Sequence, residues 1–94
     1  MRMDRQQARQ IACDALNPHI NKVLQPTAAD EQVDVSKTLK EIEKKNPAEI
    51  DDIVREIVKG SNAAGYATSI DPPAILRCQT VGDLVDEIRN SSSK

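Results

Sequence analysis

A chain of 94 residues with 13 Lys plus Arg against 15 Asp plus Glu carries a formal charge of −2. It has room for one hydrophobic core and lacks the basic excess of a nucleic-acid binder. With no Trp, no Phe and a single Tyr, that core must be built from Ile, Val, Leu and Ala, which excludes an aromatic cage or a base-stacking platform.

Apolar residues recur at helical spacing throughout, which predicts an all-α fold, a small antiparallel helical bundle. The stripe Ala8, Ile11, Ala12 and Ala15 predicts a helix over residues 4–16. Asn17-Pro18 interrupts it, and Ile20, Val23 and Leu24 extend it either as a kinked continuation or as a separate short helix within residues 18–25. Residues 25–35 form a connecting loop, and Ser36 is the expected N-cap of a weakly apolar helix over 37–45 that offers Leu39 and Ile42. Asn46-Pro47-Ala48-Glu49 combines a cap, a proline at the first helical position and a capping-box acid. It opens a central helix over 47–59, with Ile50, Ile53, Val54, Ile57 and Val58 on one face and Gly60 as the expected C-cap.

Residues 60–66 are expected to be a loop. The spacing of Gly60 and Gly65 matches a phosphate cradle, but no Lys-Ser/Thr pair follows and no strand precedes. Asp71-Pro72-Pro73 caps a short helix through Leu76. Thr80-Val81-Gly82-Asp83 has the form of a capping box, leading a last helix with Leu84, Val85 and Ile88 to about Asn90. The expectation is a single helical domain over residues 1–90 and a flexible tail at 91–94 with nothing to bury.

No segment reaches the ~20 apolar residues of a membrane span, and MRMDRQQARQ contains no apolar signal region, so a cytoplasmic location is expected. Cys13 and Cys78 then stand as reduced, half-buried thiols. His19 is the only histidine, and its spacing from Cys13 matches no metal motif, so no metal site is expected. The adjacent carboxylates Asp51 and Asp52 point about 100° apart on a helix and cannot share a proton. With no nucleophile and base in a legible pair, the chain is not expected to be an enzyme.

The run Thr80-Val-Gly-Asp-Leu-Val-Asp-Glu-Ile88 resembles the last helix of acyl carrier proteins. The resemblance extends over about Asn46 to Asn90: an acidic helix with an apolar face, a loop carrying Ser69-Ile70-Asp71-Pro72, a short helix and the closing helix. It implies the family's four-helix topology, with the first helix supplied by residues 4–16 or 18–25 and the 37–45 helix as an addition. The family attaches 4'-phosphopantetheine to a Ser in an Asp-Ser-Leu motif at the start of its second helix. Counting back from Thr80 by the family's interval reaches Asp52, so Asp51-Asp52-Ile53 stands in that place, and residues 41–60 contain no Ser. A carboxylate cannot form the phosphodiester that a hydroxyl forms.

What the resemblance implies is therefore a carrier-like module without a prosthetic group. It would act by protein–protein interaction, presenting Glu49, Asp51, Asp52 and Glu56 to a partner with a basic patch. The same four acids also fit a plain solvated helix face whose first-turn charges complement the helix dipole. Two alternatives stand beside it. One is a functional carrier with its attachment serine displaced to Ser36, Ser61 or Ser69, although those serines also fit caps and loops. The other is an unrelated helical adaptor subunit of a larger complex. A cleft between aliphatic helices would admit an acyl chain non-covalently.

Overall fold

A computed structural model describes residues 2–94. The helices are α1 (Arg5–Leu16), α2 (Ser36–Lys45), α3 (Pro47–Ala63), α4 (Pro72–Leu76) and α5 (Val81–Ser91). Two short strands, β1 (Ala67–Thr68) and β2 (Ser92–Ser93), and 3-10 turns at Asn17–His19 and Asp30–Gln32 complete the described elements. No helix among the described residues is long and apolar enough to cross a membrane.

The core is aliphatic. Ile50, Ile53 and Ile57 of α3 are fully buried in one cluster with Ala8, Ile11, Ala12 and Leu16 of α1 and Leu84, Val85 and Ile88 of α5. α1 packs against both α3 and α5, and α2 lies on α3. The expected stripe is narrower than its five residues: Val54 and Val58 are only half-buried, and Ser61 takes the next core position one turn beyond Ile57.

Where the caps form as expected, the chemistry is local. Thr80 Oγ1 accepts from Asp83 N at 3.2 Å while Asp83 Oδ2 accepts from Thr80 N at 3.2 Å, a reciprocal capping box that starts α5. Asp71 Oδ1 accepts from Ala74 N at 3.1 Å and starts α4 ahead of its two prolines.

Four local expectations are corrected. Gly60 does not end α3. The helix runs on to Ala63 and closes in a Schellman turn: Tyr66 N donates to Ser61 O at 2.9 Å and Gly65 N to Asn62 O at 3.0 Å. Gly65 supplies the left-handed residue, with φ of 92°, and the buried Tyr66 seals the turn. Ser36 is the first helical residue of α2 instead of its cap, and Asp34 Oδ1 accepts from both Ser36 N at 2.9 Å and Ser36 Oγ at 2.7 Å. Asn46 makes no side-chain cap for α3, and Glu49 turns to His19 rather than back to Asn46, so no capping box forms there.

Residues 18–25 form neither a kinked continuation of α1 nor a second helix. After one 3-10 turn the loop closes on itself, because Asn17 Oδ1 accepts from Leu24 N at 2.8 Å and Asn17 Nδ2 donates to Leu24 O at 3.2 Å. This clasp buries Leu24 and leaves Val23 exposed.

The chain end also differs from the expected tail with nothing to bury. β2 pairs antiparallel with β1, Thr68 opposite Ser92 and Ala67 opposite Ser93. Ser92 is buried, its hydroxyl 2.6 Å from Ile88 O and 2.8 Å from Thr68 Oγ1. A serine is small enough to enter here because both its hydrogen-bond needs are met inside. The all-α expectation is thus amended to a mostly helical bundle with one two-residue ladder.

Candidate functional site: the acidic stripe of α3

At 100° per residue, Glu49, Asp52 and Glu56 fall within about 60° of one another on α3. They form a stripe beside the buried Ile50, Ile53 and Ile57. Asp51 lies about 100° beyond Asp52 and about 140° from Glu56, on the helix's other flank. The structure therefore brings together three of the four acids singled out from the sequence and leaves Asp51 apart. Asp51, Asp52 and Glu56 are exposed and Glu49 is half-buried.

The chain reversal after α1 lays Pro18 and His19 against this stripe, where they line a shallow depression of about 360 Å³ with Asp52, Arg55 and Glu56. A carboxylate can only accept, so His19 Nδ1 carries the proton of its 3.0 Å hydrogen bond to Glu49 Oε2. Asp52 is paired with Arg55 one turn on. Glu56 and Asp51 have no ion-pair partner among the described residues. Hydrated, exposed carboxylates of this kind are suited to reversible, salt-dependent docking and not to proton transfer.

The three alternative serines fare differently. Ser61 is fully buried in the last turns of α3 and its hydroxyl has no hydrogen-bond partner among the described residues. No transferase can reach it in the folded chain, so Ser61 is withdrawn as an attachment point. Ser36 is half-buried with its hydroxyl on Asp34. That hydroxyl, together with the Ser36 N–H, holds the Asp34 carboxyl below its ordinary value. Ser69 is exposed, its Oγ 3.4 Å from Ser91 O. Asp52, at the position counted from the resemblance, stands in the second turn of α3.

Both cysteines are buried free thiols. Burial pushes Cys13 and Cys78 up to about 11, so neither is a thiolate nucleophile at neutral pH. Among the described residues no three His, Cys, Asp or Glu side chains gather into a metal-holding group.

A second charged cluster was not legible in the sequence. Glu31, in the 3-10 turn Asp30–Gln32, receives Arg5 Nε at 3.2 Å and is bridged by both Arg5 and Arg9, while Arg5 Nη1 also reaches Asp86 Oδ1 at 2.6 Å. The hydrogen bond from Arg5 above all, then that from Arg9, holds the Glu31 carboxyl below its usual range. Gly82 permits the approach, since a Cβ there would lie 3.1 Å from both the backbone oxygen and Oε1 of Glu31. These charges saturate one another and clamp the loop to α1 and α5. The pairs span more than twenty residues of sequence, a separation that no local pattern signals.

No family model, no curated protein and no solved structure matches the chain.

Proposed function

We propose that the chain is an acyl carrier protein-like helical module that lacks the phosphopantetheine serine, carries no cofactor and performs no catalysis. It works by docking the α3 stripe Glu49, Asp52 and Glu56, with Asp51 contributing charge from the helix's other flank, onto a basic patch of a protein partner in the cytoplasm. The observation that carries this reading is the stripe itself: three carboxylates presented together on the central helix, over a core that does not use them. The order of α3, the Ser69-Ile70-Asp71-Pro72 loop, α4 and the capping box of α5 supports the carrier-like topology. Loss of one surface hydroxyl leaves such a scaffold intact, so fold and carrier chemistry can separate.

Two measurements test it. Incubation with a broad-specificity phosphopantetheinyl transferase and coenzyme A, followed by intact-mass analysis, is expected to leave the mass unchanged. A one-arm increase on Ser36 or Ser69 would establish the displaced-serine carrier instead. Titration with a basic helical peptide of Lys and Leu is expected to show salt-sensitive binding that weakens about tenfold or more when Glu49, Asp52 and Glu56 are changed to Lys together. Unchanged affinity at low salt refutes the docking face.

A further inference from the structure

α2 and α3 carry one charge pattern in opposite signs. Lys37, Lys40 and Lys44 stand at i, i+3 and i+7 on α2, and Glu49, Asp52 and Glu56 stand at the same spacing on α3. The residue just before the last of each set inverts as well: Glu43 on α2 corresponds to Arg55 on α3. As a whole α2 holds four lysines against Glu41 and Glu43, a net +2, and α3 holds four acids against Arg55 and Lys59, a net −2. Lys59 lies beyond the matched segment, because its counterpart would fall past the end of α2 at Lys45.

The basic stripe faces outward. At 100° per residue its three lysines fall within about 60° of one another and about 100–160° round α2 from the buried Leu39. All three are exposed, and none has an ion-pair partner among the described residues. α2 packs on α3 within the chain, yet no ion pair joins the two helices among the described residues. The complementarity is therefore not used inside one molecule. Each stripe extends over seven residues of rise, about 10.5 Å, so the two match in length as well as in sign.

We infer that the partner of the acidic stripe is a second copy of this chain, whose α2 lays Lys37, Lys40 and Lys44 along Glu49, Asp52 and Glu56. The inference rests on the docking function proposed above and identifies the basic patch. Opposite charges at one fixed spacing set the register and disfavour the like-signed pairings of α2 on α2 and α3 on α3. Exposed ion pairs are individually weak and screened by salt, so the association is weak, reversible and strongest at low ionic strength. Because the two stripes are different surfaces, the contact closes into a pair only where both copies exchange α2 for α3, and otherwise propagates.

Sedimentation equilibrium at about 20 mM and about 0.5 M salt tests this. The chain is expected to self-associate at low salt and to be monomeric at high salt. Lys37→Glu, Lys40→Glu and Lys44→Glu together should weaken self-association about tenfold or more, and so should Glu49→Lys, Asp52→Lys and Glu56→Lys together. Mixing those two variants, or combining all six changes in one chain, should restore it, a rescue that misfolding cannot imitate. Lys37→Gln, Lys40→Gln and Lys44→Gln, nearly neutral in helix propensity, should weaken it too, with circular dichroism checking each fold. A chain that stays monomeric at low salt up to about 1 mM overturns the inference, as does self-association that ignores the α2 changes or is not rescued by mixing. The Lys and Leu peptide separates this from the docking reading. If the α3 changes abolish peptide binding while the unaltered chain is monomeric, the docking face stands and the second copy falls; if they affect neither peptide nor self-association, both fall. Co-sedimentation of a monomeric chain with phosphatidylserine vesicles, abolished by the Lys→Glu changes, assigns the α2 stripe to an anionic membrane and also overturns the inference.

Discussion

Replacing Ser61 by Ala should make the protein more stable. The side chain is fully buried and its hydroxyl has no partner among the described residues, and leaving such a group unsatisfied costs about 1–3 kcal/mol. Alanine removes that cost and is the better helix former by up to ~0.7 kcal/mol. Against this stands the void left by one oxygen, on the order of 15 Å³, worth about 0.4 kcal/mol at the usual cavity penalty. The balance is a gain of about 0.6–3 kcal/mol, equivalent to about 2–25 °C in Tm for a domain of this size. Urea unfolding should move to a higher midpoint with an unchanged m value. A loss of more than about 0.5 kcal/mol would mean that the hydroxyl is satisfied after all and that the core around α3 is packed differently from the arrangement described.

Ile57→Ala, at the centre of the buried stripe, should cost about 2–4 kcal/mol, while Val54→Ala on its half-buried flank should cost about 0.5–1.5 kcal/mol; equal losses in denaturant melts would show that the two positions are not differently buried. Gly65→Ala places a Cβ in the left-handed region of the Schellman turn and should destabilise by about 1–2 kcal/mol, so an unchanged or raised Tm in thermal unfolding would contradict the observed end of α3. Glu31 has a folded value below its ordinary one. Its contribution is therefore complete above about pH 4.5 and is lost as the pH falls through the lowered value. Glu31→Gln should accordingly cost about 1–3 kcal/mol at pH 7 and progressively less as the pH falls further below about 4.5, and a loss independent of pH would show that the clamp is not electrostatic.

The parts of the fold that were legible in the sequence are those fixed by neighbours in the chain. Thr80 and Asp83 are three residues apart, Asp71 precedes its prolines, and the isoleucines of α3 repeat every three or four residues, so each announces itself locally. The end of α3 was misplaced because two glycines compete for the terminus, and the deciding factor is the residue after each. Tyr66 behind Gly65 has an apolar ring to bury over the last turn, whereas Gly60 is followed by Ser61, which itself enters the core. Glu49 was assigned to Asn46 on spacing alone, and only the folded chain reveals that the Asn17–Leu24 clasp delivers His19 to it. From the sequence Glu49, Asp51, Asp52 and Glu56 were grouped as one face, and the helix sets Asp51 apart from the other three at 100° per residue.

The partnership of α1 with α5 governs how this chain acquires its structure. Arg89 Nε donates to Met3 O at 2.9 Å across a separation of 86 residues, and the first helix packs against the last. During synthesis α1 can meet α3 first, but the part of its buried face that packs on α5 has no mate until residues 81–91 have left the ribosome, and closing so large a ring is slow. Shortening the chain before Val81 removes Leu84, Val85 and Ile88 from the cluster at a stroke, so truncates of that length should collapse into proteolysis-prone species rather than into smaller versions of the same domain.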